Sequence, residues 1–139
     1  MPQLMIDELP AWQGGKVVVV DDNGASAHML ADFLRMIGHG AEVVTADTVE
    51  GLADGILSAQ PDVVFLDIML GRLDGHDVAL ALRQRGCNAY LVAVTGWGEP
   101  DDARYSLETG FDEHWTKPLD TSRVEVFMRV RPERIAAAA

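Results

Sequence analysis

Three apolar runs and one mixed segment in this sequence each lead into polar residues with related chemistry. Asp21 and Asp22 follow Val17 to Val20, Asp67 follows Val63 to Leu66, Thr95 follows Tyr90 to Val94, and Lys117 comes just after Phe111 to Trp115. If the runs are parallel strands, all five residues fall at carboxyl ends, where open α/β sheets bind ligands. Three carboxylates in one crevice repel one another. The usual remedy is a hard divalent cation with oxygen ligands, and Mg²⁺ suits a shallow, hydrated site. A carboxylate is also a nucleophile toward phosphorus, giving an acyl phosphate. Phosphoryl transfer asks for neutralised equatorial oxygens and in-line positioning more than for acid–base work. Mg²⁺ on Asp22 and Asp67 would supply one positive centre and the Lys117 ammonium a second. The Thr95 hydroxyl would donate to a further oxygen.

The elements that must hold these groups follow from the apolar pattern. Val17 to Val20 is a continuous β-branched run, as expected of a strand buried on both faces. Met29, Leu30, Phe33, Leu34 and Ile37 recur at helical spacing and predict one apolar stripe, stopped by Gly38 and Gly40. A second strand is expected over 41–46 and a helix over 48–59, with Leu52, Ile56 and Leu57 facing inward. The third strand is 63–66, and a helix carrying Val78, Leu80, Ala81 and Leu82 ends near Gly86. A strand over 90–94, a short helix over 101–109, a strand over 111–115 and a helix over 121–131 complete the alternation. Right-handed crossovers then give a doubly wound α/β fold, a five-stranded parallel sheet of order 2-1-3-4-5 covered on both faces. Residues 1–15 are expected to be a leader or linker, 16–131 the domain, and 132–139 a tail ending in four alanines.

Composition limits the function classes. The chain has 139 residues, the size of one domain with one core, and a formal net charge of −11. That charge repels phosphate backbones, so direct nucleic-acid binding is not expected. The lone Cys87 cannot form an internal disulfide and reads as a small hydrophobe after a helix. No apolar run approaches the ~18–20 residues needed to span a bilayer. The first fifteen residues lack Lys and Arg and contain Asp7 and Glu8, unlike a signal peptide, so a cytoplasmic protein is expected. His28, His39 and His76 show no zinc-like spacing and read as surface residues.

At this point a resemblance becomes specific. Val17-Val-Val-Val-Asp-Asp-Asn, Phe65-Leu-Asp-Ile-Met-Leu-Gly-Arg-Leu-Asp-Gly, Thr95-Gly-Trp-Gly and Gly110-Phe-Asp-Glu-His-Trp-Thr-Lys-Pro resemble, in order, the signatures of response-regulator receiver domains. The intervals from Asp21 to Asp67, Thr95 and Lys117 are 46, 28 and 22 residues in turn, also similar to that family. The resemblance implies that Asp67 takes a phosphoryl group from a phosphohistidine on a histidine kinase or phosphotransfer protein. It implies Mg²⁺ bound by Asp22 directly, Asp21 through water, Asp67 and the Met69 carbonyl. Thr95 and Lys117 would bind the phosphoryl group, His114 would stand at the switch position usually held by Tyr or Phe, and Lys117-Pro118 would be cis. Such a chain would catalyse only its own phosphoryl transfer and dephosphorylation, and would act on a downstream effector or as a homodimer. It would be a stand-alone receiver or part of a hybrid kinase. Gly71 replaces a common proline. Met69 and Trp97 are bulky and apolar, and are expected to shield an acyl phosphate from water.

Three rivals share parts of this pattern. A haloacid-dehalogenase-type enzyme resembles it, but that class has a second aspartate two residues past the nucleophile, where this chain has Met69. A flavodoxin-like cofactor binder needs a phosphate-cradling first loop, and Asp21 and Asp22 would repel phosphate there. A degenerate, scaffold-only receiver would not keep all five site residues.

Overall fold

The computed structural model describes residues 10–96 and 103–134. Trp97, the expected helix start at Asp101, the first nine residues and the alanine tail lie outside the described residues. The elements run β1 (Lys16–Val20), α1 (Gly24–Met36), β2 (Gly40–Val43), α2 (Val49–Ala59), β3 (Val63–Asp67), β4 (Met69–Leu70), β5 (Leu73–Asp74), α3 (Gly75–Gln84), β6 (Tyr90–Thr95), α4 (Ala103–Glu108), β7 (Glu113–Thr116) and α5 (Thr121–Arg129). The main sheet is five-stranded, in the order β2-β1-β3-β6-β7, with every pairing parallel. This is the expected 2-1-3-4-5 order once the small antiparallel hairpin β4–β5 is set aside.

Alternation along each strand divides the core between the two faces. Val18, Val20, Val64, Leu66, Leu91 and Ala93 meet Leu52, Ile56, Val78 and Leu82 of α2 and α3. Val17, Val19, Val63, Phe65, Val92 and Val94 meet Ala27, Leu34, Val124 and Met128 of α1 and α5. A strand with helices on both sides must be apolar throughout, which is why β1 and β3 show no polar alternation. α1, α2, α3 and α5 begin on side-chain caps: Asn23 accepts from the Ser26 amide, Thr48 from Gly51, Asp74 from His76 and Asp120 from Ser122. Each cap satisfies an amide that has no intrahelical partner.

Two expectations fail at the level of faces. Met29 is 73% exposed, and α1 buries Ala27, Ala31 and Leu34 instead. Met29 lies two residues, about 200°, round the helix from Ala27, so the alanine face and the methionine cannot both point inward. Small residues on that face let α1 lie close to the sheet.

His39, expected at the surface, is buried and packs against the segment before β1. Its Nδ1 accepts from the Gly15 amide at 3.1 Å, and its ring lies 4.8 Å from that of Trp12. The Trp12 amide donates to the Arg129 carbonyl, and the Gly14 amide to the Gly38 carbonyl. Burial pulls the His39 pKa below its usual value, partly offset by the Asp62 carboxylate. The unfolded chain therefore binds the His39 proton more readily. Stability from this group is complete above ~6.5 and is lost as pH falls below that value through the folded pKa. His39→Asn keeps an acceptor for Gly15 without a titrating ring. The wild type should lose more melting temperature than His39→Asn between pH 7.5 and pH 5. Parallel losses in the two proteins would show that His39 does not titrate in this pocket.

Candidate phosphoacceptor site

The carboxyl edge of the sheet gathers the groups that the sequence pointed to. β1 and β3 are hydrogen-bonded neighbours, with Val20 opposite Leu66, so Asp21 and Asp67 emerge side by side. β6 flanks β3 on the other side, and Thr95 at its end pairs with Thr116 of β7. Lys117 follows directly, and its amide donates to the Thr95 carbonyl at 2.7 Å. The Lys117–Pro118 peptide is cis, as the resemblance implied.

Asp67 is only 3% exposed. Its Oδ1 accepts from the Met69 amide at 3.1 Å, and its Oδ2 from the Lys117 ammonium at 2.8 Å. The same ammonium lies 3.0 Å from Oδ2 of Asp21, whose Oδ1 accepts from the Asn23 amide. Asp22 is exposed, yet Asp21, Asp22 and Asp67 each offer an oxygen within 4.8 Å of the others. These are hard donors, a set suited to a small divalent cation.

Electrostatics follow from depth. Burial pushes the Asp67 pKa up to about 6; the Lys117 hydrogen bond and charge pull it back, and the Asp21 charge adds to the rise. Burial alone would lower the Lys117 pKa, but the hydrogen bonds it donates to Asp67 and Asp21 outweigh it, and the net shift is upward. An ammonium between two carboxylates neutralises only part of their charge and leaves a centre that attracts cations.

These features are those of a known family. The profile of the response regulator receiver domain matches residues 17–129. The chain belongs to that family. This receiver domain is 30% identical over 130 residues to the DNA-binding dual master transcriptional regulator RpaA of Synechocystis, covering 89% of this chain and 53% of that protein. It is 32% identical over 124 residues to the alkaline phosphatase synthesis transcriptional regulatory protein PhoP of Bacillus subtilis, covering 89% of this chain and 51% of that one. The chain thus spans about half the length of these curated relatives. Among solved structures, the receiver domain of Francisella response regulator 1452 superposes with a TM-score of 0.71 at 23% identity, covering 83% of this chain and 93% of that one. A CheY-like receiver domain protein from Methanospirillum hungatei gives 0.70 at 20% identity, covering 81% and 88%. Both show the fold.

Two further receiver positions are now defined. His114 Nε2 stands 3.3 Å from the Thr95 hydroxyl, so the residue at the expected switch position touches the expected phosphoryl-binding threonine. The Met69 side chain is 53% exposed, while its amide is turned toward Asp67.

The apolar pattern does not mark the β4–β5 hairpin that carries Met69. Its strands are two residues each, too short to show a period. The available signal was Asp74-Gly75, a helix cap followed by a residue without a side chain. Gly75 is needed there because its amide donates to the Ile68 carbonyl at 2.7 Å, bringing α3 onto the backbone of the loop after Asp67. A Cβ at this position would collide with the Asp67 carbonyl oxygen and lie 2.8 Å from the Ile68 Cα. Gly75→Ala should therefore cost about 1–3 kcal/mol in a denaturant titration. An unchanged midpoint would mean that the turn can shift at no cost.

Proposed function

We propose that this receiver accepts a phosphoryl group on Asp67 from a phosphohistidine of a histidine kinase or phosphotransfer protein. The observation carrying this reading is the Lys117 ammonium bonded at once to Oδ2 of buried Asp67 and Oδ2 of Asp21. A carboxylate oxygen of Asp67 attacks phosphorus, the P–N bond to the donor imidazole breaks, and an aspartyl phosphate and a free histidine result. Lys117 holds the carboxylate before the reaction and is placed to follow the new negative charge. Thr95 would donate its hydroxyl to a phosphoryl oxygen, and the exchange of partners would move His114. Asp21, Asp22, Asp67 and the Met69 carbonyl would hold Mg²⁺, which supplies charge neutralisation for in-line transfer.

In this reading the only catalysis is the chain's own phosphorylation and its reversal, when water attacks phosphorus and releases inorganic phosphate. A downstream effector is supported by the similarity to transcriptional regulators, and a second copy of the chain is the alternative partner. The acidic charge argues against direct contact with nucleic acid. No helix among the described residues is long and apolar enough to cross a membrane. A kinase that draws on ATP places the proposed reaction in the cytoplasm.

The test is incubation with Mg²⁺ and a small acyl-phosphate donor, followed by intact mass measurement. One phosphoryl group should be added to the wild type and none to Asp67→Asn. Equal labelling of the two proteins would reject Asp67 as the acceptor.

A further inference from the structure

α4 is six residues long, too short to be stable alone, so its attachment must come from packing. Among its described side chains only Ser106 is buried, and Ser106 is fully buried. A helix whose inward side chain is a hydroxyl has little apolar surface to hold it. What Ser106 meets is His76 of α3, with Nε2 3.1 Å from the hydroxyl oxygen. His76, expected at the surface, is 7% exposed and packs 4.6 Å from the Tyr105 ring and 6.0 Å from Phe111.

The other nitrogen of His76 fixes the direction of the network. Nδ1 lies 2.7 Å from Oδ1 of Asp74, which also accepts the His76 amide at 2.9 Å. A carboxylate can only accept, so Nδ1 carries a proton, and in that tautomer Nε2 accepts a hydrogen bond from the Ser106 hydroxyl. The trio has the residue types of a hydrolytic triad. Full burial of Ser106 keeps any substrate from it, so its role is mechanical.

Asp74 is also the partner of Met69 in the β4–β5 ladder. The Met69 amide reaches Oδ1 of Asp67, and the Gly75 amide ties the next residue to Ile68. Hydrogen bonds, joined by the pairing of Met69 with Asp74 across the hairpin, thus link the Asp67 carboxylate through His76 to Ser106.

We propose that His76 is a positioning residue that couples the phosphoacceptor loop to α4. Held between Asp74 and Ser106, it fixes the hairpin that presents Met69 to the site, and the hairpin in turn orders α4. This rests on the reading of Asp67 as a Mg²⁺-assisted phosphoacceptor. The coupling is reciprocal: whatever factor α4 attachment adds to affinity at the site, site occupancy adds to α4 attachment.

Ser106→Ala alone leaves a buried ring nitrogen without a partner. The double variant H76L/S106A removes both polar groups and leaves no buried one unpaired, so its stability is expected to stay close to that of the wild type. Mg²⁺ affinity is measured by titration calorimetry, and exchange of the α4 amides is followed with and without Mg²⁺. In the wild type, Mg²⁺ should slow α4 exchange. In the double variant, Mg²⁺ should bind about fivefold or more weakly, and α4 exchange should no longer respond. Wild-type affinity together with a wild-type α4 response in the double variant would overturn the coupling and leave the site reading intact. Weaker binding in Ser106→Ala that the double variant restores would also overturn it, since the cause would be the unpaired nitrogen alone. A wild type that binds no Mg²⁺ would overturn the site reading, and the coupling with it.

Discussion

Lys117→Met should slow phosphorylation of Asp67 by a small acyl-phosphate donor about 10²–10³-fold, the range found when one charge-stabilising donor is removed from an active site. Two effects act in the same direction. The ammonium that bonds Oδ2 of Asp67 is lost, so no cation follows the charge onto the phosphoryl oxygens. Asp67 is also left beside Asp21 without the contact that pulls its pKa down, so more of it is protonated at neutral pH and fewer carboxylates can attack. Raising the pH should recover part of the second loss and none of the first. Lys117→Arg should not restore the rate, because a planar fork cannot replace a point charge 2.8 Å and 3.0 Å from two separate carboxylates. Initial rates of mass increase, measured for the three proteins at two pH values, make the test. A Lys117→Met rate within threefold of wild type would remove the ammonium from the mechanism.

The second large effect is a reversal of stability order. Burial raises the Asp67 pKa from 3.8 to about 6, so the folded protein holds that proton more tightly than the unfolded chain does. Stability from this group is complete below 3.8, declines as pH rises through about 6, and is absent at neutral pH. In chelator at pH 7.5, Asp67→Asn should therefore be more stable than wild type by about 1–2 kcal/mol, after allowing for solvent and for the lost Lys117 pair. The advantage should disappear as the pH falls below 5. Mg²⁺ at a hundredfold excess over its dissociation constant should stabilise the wild type by about 2.7 kcal/mol and the variant far less. Four thermal melts decide it. If Mg²⁺ raises both melting temperatures equally, the three carboxylates do not share an ion.

The sequence exposed the crowding of these carboxylates but not its distribution. Residue types and strand ends placed Asp21, Asp22 and Asp67 together, whereas burial of one and exposure of another depend on the loops that cover them. The sheet was legible because a strand covered on both faces cannot alternate, so Val17–Val20 and Val63–Leu66 stand out. Met29 was misplaced because its spacing fits a stripe equally well from the exposed side, and only the closeness of α1 to the sheet chooses the alanines. His39 and His76 were misread for one reason. A histidine can be buried when both its surroundings and its nitrogens are matched, and here the matching groups are far along the chain: Gly15 is 24 residues from His39, and Ser106 is 30 from His76.

The bond between the Trp12 amide and the Arg129 carbonyl brings the beginning and end of the fold together at the amino edge of the sheet. Asp67 opens at the other edge. A reporter protein or a surface tether fused before Trp12 or after Arg129 would therefore leave from the side away from the reaction and leave the donor's approach clear. Two fluorophores placed at those same ends would start as near neighbours, and small displacements at the acceptor loop would hardly change their separation. A probe of phosphorylation built on this chain needs one label on α4 rather than one at each end.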